Sequence, residues 1–176
     1  MIFSTFRFLA LFLLIVIIQL FLLNNIFIGN TWAFLFQPQL IIMFLLFLPP
    51  SMSHSWMIVL SFAAGFLFDV FFQSWGEHAA VSTLIGFVRH YSTRDIDNAI
   101  GARIEDNQIW TSKKGSSWKW VYFLVFIGLY HLLFLWINGL GHNFFTRIIP
   151  ATISSSLITF AIILLLENLI YKPSRN

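Results

Sequence analysis

The chain contains no cysteine and few charged residues. Of its 176 residues only 10% are Asp, Glu, Lys or Arg, whereas 59% are hydrophobic and 22 are Phe. The absence of cysteine excludes disulfides, thiol nucleophiles and thiolate metal sites. The scarcity of charge excludes a water-soluble globule, because a chain of this length has too little interior to bury so many apolar side chains. We therefore expect lipid to be its main solvent.

Patterns that carry catalysis or metal binding are also missing from the sequence. The five histidines, at positions 54, 78, 90, 131 and 142, form no pair at the helical spacing that holds a metal ion. No glycine-rich loop of the kind that cradles phosphates occurs. We therefore predict a protein that is not an enzyme and that has no metal, no cofactor and no nucleic-acid partner.

Apolar runs predict an all-α integral membrane protein with six transmembrane helices in one membrane domain, residues 1–176. A helix needs about 20 apolar residues to cross the hydrocarbon and satisfies its own backbone groups, and no alternating pattern of barrel strands occurs. The predicted spans cover residues 8–23, 34–48, 56–72, 76–91, 118–137 and 148–170. The second span is short and closed by Pro49-Pro50, so it is expected either to cross or to be partly re-entrant. The fourth has the weakest hydropathy, since Glu77 and His78 dilute it.

The positive charges predict the orientation. Six of the ten Lys and Arg residues lie between Arg89 and Lys119, and short loops rich in these residues stay in the cytoplasm. This segment, Arg7 and the basic C-terminal tail share one side of the membrane only if there are six spans. We therefore predict cytoplasmic termini in the inner membrane and a cytoplasmic loop over residues 92–117, with Arg147 left as the basic residue on the outer side.

Within this loop three isoleucines recur at every fourth position. Ile96, Ile100 and Ile104, with acidic and basic residues between them, predict an apolar stripe on a short helix. The stripe either rests on the lipid surface or on the bundle, or it docks a cytoplasmic partner. Lysines that follow it near the bilayer would attract anionic membrane lipids.

Asp69 is the functional candidate inside the membrane, because a carboxylate there is costly unless it faces protein or water. It lies about one turn from the outer end of the third span, so a role in capping or binding the start of the fourth helix is at least as plausible as chemistry. His78 and His131 are expected at similar depth and are the plausible partners of Asp69. The alternative for each histidine is a hydrogen-bonded packing residue.

Small and polar residues at four-residue spacing predict where helices touch, since backbones in lipid approach closely only where side chains are small. Three such rows occur: Ser61, Gly65 and Asp69 on the third helix, Ser82 and Gly86 on the fourth, and Ala151, Ser155 and Thr159 on the sixth. These rows form either the interior of the bundle or a groove for a partner's transmembrane helix.

Several short motifs along the chain resemble one family. They are Leu23-Asn24-Asn25-Ile26, Pro38-Gln39, Leu48-Pro49-Pro50, Gly65-Phe66-Leu67-Phe68-Asp69 and Gly76-Glu77-His78-Ala79. Together with the basic segment after the fourth helix and the Trp-led fifth helix with His131, they look like the rod shape-determining membrane protein MreD in its Bacteroidetes form. Glu77 departs from that pattern, in which an apolar residue is commoner.

This resemblance implies a non-enzymatic scaffold of the cell-elongation machinery. Members of the family resemble in fold the six-helix substrate-binding subunits of energy-coupling-factor transporters. They bind the single-span protein MreC and couple MreB filaments to the glycosyltransferase and transpeptidase that lengthen the peptidoglycan wall. Our hypothesis for such a scaffold is that it binds the partner's transmembrane helix along a small-residue groove. The residues on or near this groove are Gly65, Asp69, His78 and Gly86.

Two other functions remain open from the sequence. One is a small-molecule, vitamin-like uptake subunit whose outward pocket is lined by groups such as Asn24, Trp32, Trp75, His78 and His142. The other is an intramembrane enzyme that uses Asp69 with His131, which requires the two side chains to lie within hydrogen-bonding reach.

Overall fold

The computed structural model is helical in the part of the chain that it describes. It describes residues 10, 12–23, 35–48, 52–100, 116–139 and 143–170, with the side chains of 22, 93–100, 116–119 and 167–170 left aside. No strand occurs among these residues. The helices are α1 (Phe12–Phe21), α2 (Ile41–Phe47), α3 (His54–Phe72), α4 (Glu77–Ile100), α5 (Ser116–Asn138) and α6 (Ile149–Ile170). A π-helical turn, Phe144–Ile148, leads into α6.

Three stretches are long and apolar enough to cross a membrane: His54–Phe72, Trp120–Asn138 and Phe144–Leu166. Each covers most of a predicted span, namely the third, the fifth and the sixth. They indicate a membrane-embedded helical protein. Their outward faces carry large apolar side chains, such as Trp56, Phe66 and Leu165, which are more than half exposed, as lipid-facing positions are.

The second predicted span, residues 34–48, is not one continuous helix. Only the seven residues of α2 are α-helical, and residues 36–39 before them have no regular secondary structure. Seven residues rise about 10 Å, far less than the roughly 30 Å of a bilayer core. Pro38 explains the interruption, because it lacks an N–H group and holds the preceding residue out of the helical region.

The fourth predicted helix is longer than expected. Neither Pro nor Gly occurs from Phe87 to Ile100, and α4 continues without a break through that stretch. The segment predicted as a loop over 92–117 therefore begins as helix, so Ile96 and Ile100 lie on α4. Ile104 lies outside the described residues.

The four long helices pack in chain order, α3 on α4, α4 on α5 and α5 on α6. α3 and α4 are antiparallel along the whole length of α3. Asp69 contacts Ala79 near the turn that joins the two helices, and at the other end the rings of His54 and Tyr91 are 5.2 Å apart. α2 lies inside the bundle, where it contacts α3, α4 and α5 and all seven of its residues are buried.

Candidate functional site

Asp69 caps the first turn of α4 from the last turn of α3. Its Oδ1 accepts the backbone N–H of His78 at 3.0 Å and its Oδ2 accepts that of Ala79 at 2.8 Å. Ser74 Oγ donates to Oδ1 at 2.5 Å. Helix N-termini leave N–H groups without partners and carry partial positive charge. The helix end therefore stabilises a carboxylate that is only 4% exposed.

The turn between the two helices brings this cap together. α3 ends at Gln73, which adopts the left-handed conformation with φ 53°, and Ser74 N–H then donates to the Asp69 carbonyl at 3.0 Å. Gly76 has φ +89°, a value that glycine reaches without a steric penalty. The positive φ angles of Gln73 and Gly76 let the chain reverse direction within four residues, 73–76. The first turn of α4 therefore begins next to Asp69.

His78 is the second partner of Asp69. Its Nδ1 lies 3.0 Å from Asp69 Oδ1, which assigns the proton to Nδ1 because a carboxylate only accepts. Its ring lies among aromatic side chains, with Phe134 of α5 at 4.6 Å and Phe72 at 5.5 Å between centroids. Although Ser, His and Asp meet here, Ser74 and Asp69 both contact the same ring nitrogen. A relay from serine through the two ring nitrogens to aspartate is therefore not formed.

Two glycines allow α3 and α4 to touch. A Cβ atom added to Gly65 would lie 2.6 Å from Ala79 Cα, and one added to Gly86 would lie 2.7 Å from Ser61 Cβ. Both distances are far below van der Waals contact. The small-residue rows of α3 and α4 thus face each other inside the chain, and Ser61 and Ser82 are fully buried. They do not form an open groove for another helix.

The non-helical segment before α2, residues 36–39, is held by side chains from two helices. From α6, Ser155 Oγ accepts Gln37 N–H at 3.0 Å and Thr159 Oγ1 accepts Gln39 N–H at 3.2 Å. From α1, the buried Gln19 accepts Leu40 N–H at 2.8 Å and donates to the Pro38 carbonyl at 2.9 Å.

Leu35 extends the same pattern, because its carbonyl accepts the hydroxyl groups of Ser154 at 2.5 Å and Ser155 at 3.1 Å. Non-helical backbone is tolerated at membrane depth only when protein or water satisfies it. The Ser155–Thr159 row of α6, predicted as a packing face, supplies this polar support. Gln19 was not singled out in the sequence, although a lone amide in an apolar helix is the available signal for it.

His131 belongs to this second network. Its Nδ1 donates to the Ile127 carbonyl at 2.8 Å, and Nε2 lies 3.1 Å from Thr159 Oγ1. Both ring nitrogens are thus engaged within α5 and with α6. The structure pairs Asp69 with His78 and gives His131 other partners, so the arrangement needed by an Asp69–His131 enzyme is not formed.

Arg89, counted in the sequence with the cytoplasmic basic segment, is instead buried, with 1% exposure. Its guanidinium donates to the carbonyls of Leu46 and Leu48 at 2.9 and 2.6 Å. α2 stops before Pro49-Pro50, which leaves carbonyls at its end without helical donors. A cation also suits the negative end of a helix. Arg89 therefore fixes the end of α2, a role that charge counting alone missed.

The residues predicted to line an outward pocket do not form one in the part of the chain that the structure describes. Trp75 is 99% exposed, whereas His78 is buried behind Asp69. Asn24, Trp32 and His142 lie outside the described residues. A different cavity, of about 140 Å³, opens beside Gln37, between the end of α5 and the π-helical turn. No group of three or more metal-ligating side chains occurs in the part of the chain that the structure describes.

Comparisons with protein-family models, with curated proteins and with solved structures gave no match to this chain.

Proposed function

We propose that this chain is a non-enzymatic scaffold of the cell-elongation machinery in the inner membrane, of the MreD kind. It would bind an MreC-like single-span protein and link MreB filaments to the glycosyltransferase and transpeptidase of peptidoglycan synthesis. The observation that carries the proposal is that polar side chains expected inside the membrane form hydrogen bonds within the chain itself. Asp69, His131 and Arg89 all hydrogen-bond to helix ends, backbone carbonyls or neighbouring side chains of the same chain.

The motifs that carry the resemblance support this proposal because several of their residues lie where helices contact each other or end. Gly65 and Asp69 form the α3 side of the hairpin, while His78 and Ala79 receive the cap on α4. Leu48 offers its carbonyl to Arg89. Motifs that lie at helix–helix contacts and helix ends fit a scaffold, whose function depends on a fixed arrangement of its helices.

Six spans, cytoplasmic termini and a fold like that of energy-coupling-factor substrate-binding subunits are parts of the same proposal. The antiparallel course of α4 along α3 supports α4 as a span, because a helix paired with a crossing helix lies at the same depth. A partner helix would bind an exposed face of this bundle, since the Gly65 and Gly86 contacts occupy the small-residue rows.

The alternative is a small-molecule uptake subunit, for which the cavity at the end of α5 is the candidate pocket. Its volume of about 140 Å³ is below the roughly 300 Å³ at which drug-sized ligand pockets begin. A vitamin-like molecule would therefore not fit without rearrangement of the bundle.

Affinity purification of the tagged full chain from native membranes in mild detergent distinguishes the two. The scaffold proposal predicts that an MreC-like protein and wall synthases co-purify in fixed ratio. Recovery of a vitamin-like ligand with a transporter ATPase, and without wall synthases, would contradict the proposal.

A further inference from the structure

We infer that the cavity at the end of α5 binds a zwitterionic phosphoethanolamine group, as carried by phosphatidylethanolamine, with its phosphate at Arg147 and its ammonium toward Glu77. The proposal does not depend on the scaffold function. It rests on the shape, the charges and the location of this cavity.

The cavity has an apolar floor and a polar rim. Leu135, Ile148 and Ala151 line it and are buried, whereas Asn138 and Arg147 line it and are exposed. Gly139 and Gln37, both partly buried, complete the lining, and Gln37 belongs to the non-helical segment before α2. A guanidinium presents donors in a planar fork that matches phosphate oxygens. Amide side chains next to it add further donors.

An opposite charge lies on the same rim. Asn138 Nδ2 donates to Glu77 Oε2 at 3.0 Å, so one lining side chain separates the Glu77 carboxylate from the cavity. A simple anion would be repelled by this carboxylate, and a simple cation by Arg147. A ligand that carries both charges a few bonds apart satisfies both groups.

The size and the position fit a lipid headgroup. The volume of about 140 Å³ is close to the roughly 150 Å³ of a cavity known to accept benzene. A phosphate therefore fits at the Arg147 side of the rim, while the ammonium remains at the Glu77 side. The cavity lies where α5 ends at Asn138 and the last apolar span begins at Phe144. This is the level at which the apolar stretches give way to headgroups.

Native mass spectrometry of the purified full chain tests the site, with short-chain phosphatidylethanolamine, phosphatidylcholine and phosphatidylglycerol added in turn. Phosphatidylethanolamine should bind in preference to the other two. The choline headgroup cannot donate a hydrogen bond to Glu77, and the glycerol headgroup lacks the ammonium. Soluble phosphoethanolamine forms a further arm. If it competes with the lipid, a free zwitterion also occupies the site, and if it does not, the site takes the lipid; either result is consistent with the inference.

Variants make the test specific. Arg147→Gln should weaken phosphatidylethanolamine binding about tenfold, the loss expected for a charge-assisted hydrogen bond, whereas Arg147→Lys should retain most of it. Glu77→Gln should abolish the preference over phosphatidylglycerol. Thr146→Gln, at an exposed neighbouring position, is the control for the turn and should bind as the original chain does.

Equal binding of the three lipids would overturn the inference. Binding that is unchanged in both Arg147→Gln and Glu77→Gln would do so as well. Circular dichroism of each variant shows whether the helices are intact. If Arg147→Gln does not fold, an unchanged lipid preference in Glu77→Gln overturns the inference by itself.

Discussion

The carboxylate of Asp69 lies 2.8 Å from the backbone N–H of Ala79, so the last turn of α3 caps the first turn of α4. This contact joins two helices that are connected by only a short turn. It also accounts for a buried carboxylate near the membrane surface without assigning it any chemistry, because the helix end and the Ser74 hydroxyl supply its partners.

Replacing Asp69 should loosen the start of α4. We expect Asp69→Leu to destabilise the protein by about 1–2 kcal/mol, the range for loss of a helix N-cap, and Asp69→Asn by less because one acceptor oxygen remains. Thermal unfolding in detergent, followed by circular dichroism, measures both. Val70→Leu, at an exposed position on the same turn, should be neutral. Equal stability of Asp69→Leu and Val70→Leu would show that the cap contributes nothing.

The glycines offer a comparison within one chain. Gly65→Ala and Gly86→Ala should each destabilise the α3–α4 pair by about 1–3 kcal/mol, the usual cost of overpacking, since the added methyl group meets α4 or Ser61. Gly128 has no neighbouring atom within 4 Å of an added Cβ. Gly128→Ala should therefore be neutral or stabilising by up to about 1 kcal/mol. The same unfolding assay ranks the three variants, and a Gly128→Ala that is the most damaging would refute the packing.

Removal of Arg89 should free the end of α2. Arg89→Leu leaves the carbonyls of Leu46 and Leu48 without these donors, at an expected cost of about 1–3 kcal/mol for each buried group left unsatisfied. Arg89→Lys should lose less, because an ammonium reaches one carbonyl but lacks the fork geometry. Chemical denaturation in mixed micelles ranks the stabilities of Arg89→Leu, Arg89→Lys and the original chain. If Arg89→Leu unfolds no earlier than the original chain, the residue does not hold α2.

Gln19 should protect the backbone amides of the non-helical segment before α2 from hydrogen–deuterium exchange. Gln19→Leu removes the acceptor of Leu40 N–H and the donor to the Pro38 carbonyl, so the amide of Leu40 should exchange faster with deuterium. Hydrogen–deuterium exchange read by mass spectrometry over residues 35–48 reports this directly. Ile17→Leu, at an exposed position of α1, is the matched control. Unchanged exchange in Gln19→Leu would mean that other groups hold the segment.

The sequence predicts the long apolar helices and the faces on which they carry small residues, because hydropathy and four-residue spacing are local signals. The non-helical segment before α2 depends on residues that are distant from it in sequence, so no local signal of this kind predicts it. Its backbone is stabilised by hydrogen bonds from Gln19, Ser155 and Thr159. Arg89 was misplaced for a related reason, since charge counting cannot detect that a helix end at Leu48 offers carbonyls to bind it.

The proposed six-span arrangement requires that α3 and α4 cross the membrane together, with their turn outside. Because the chain has no cysteine, single cysteines introduced into it are the only labelling sites. A membrane-impermeant maleimide applied to intact spheroplasts should label Trp75→Cys at once, and it should label Arg94→Cys only after permeabilisation. Labelling of Arg94→Cys in intact spheroplasts, or protection of Trp75→Cys until they are opened, would contradict the account.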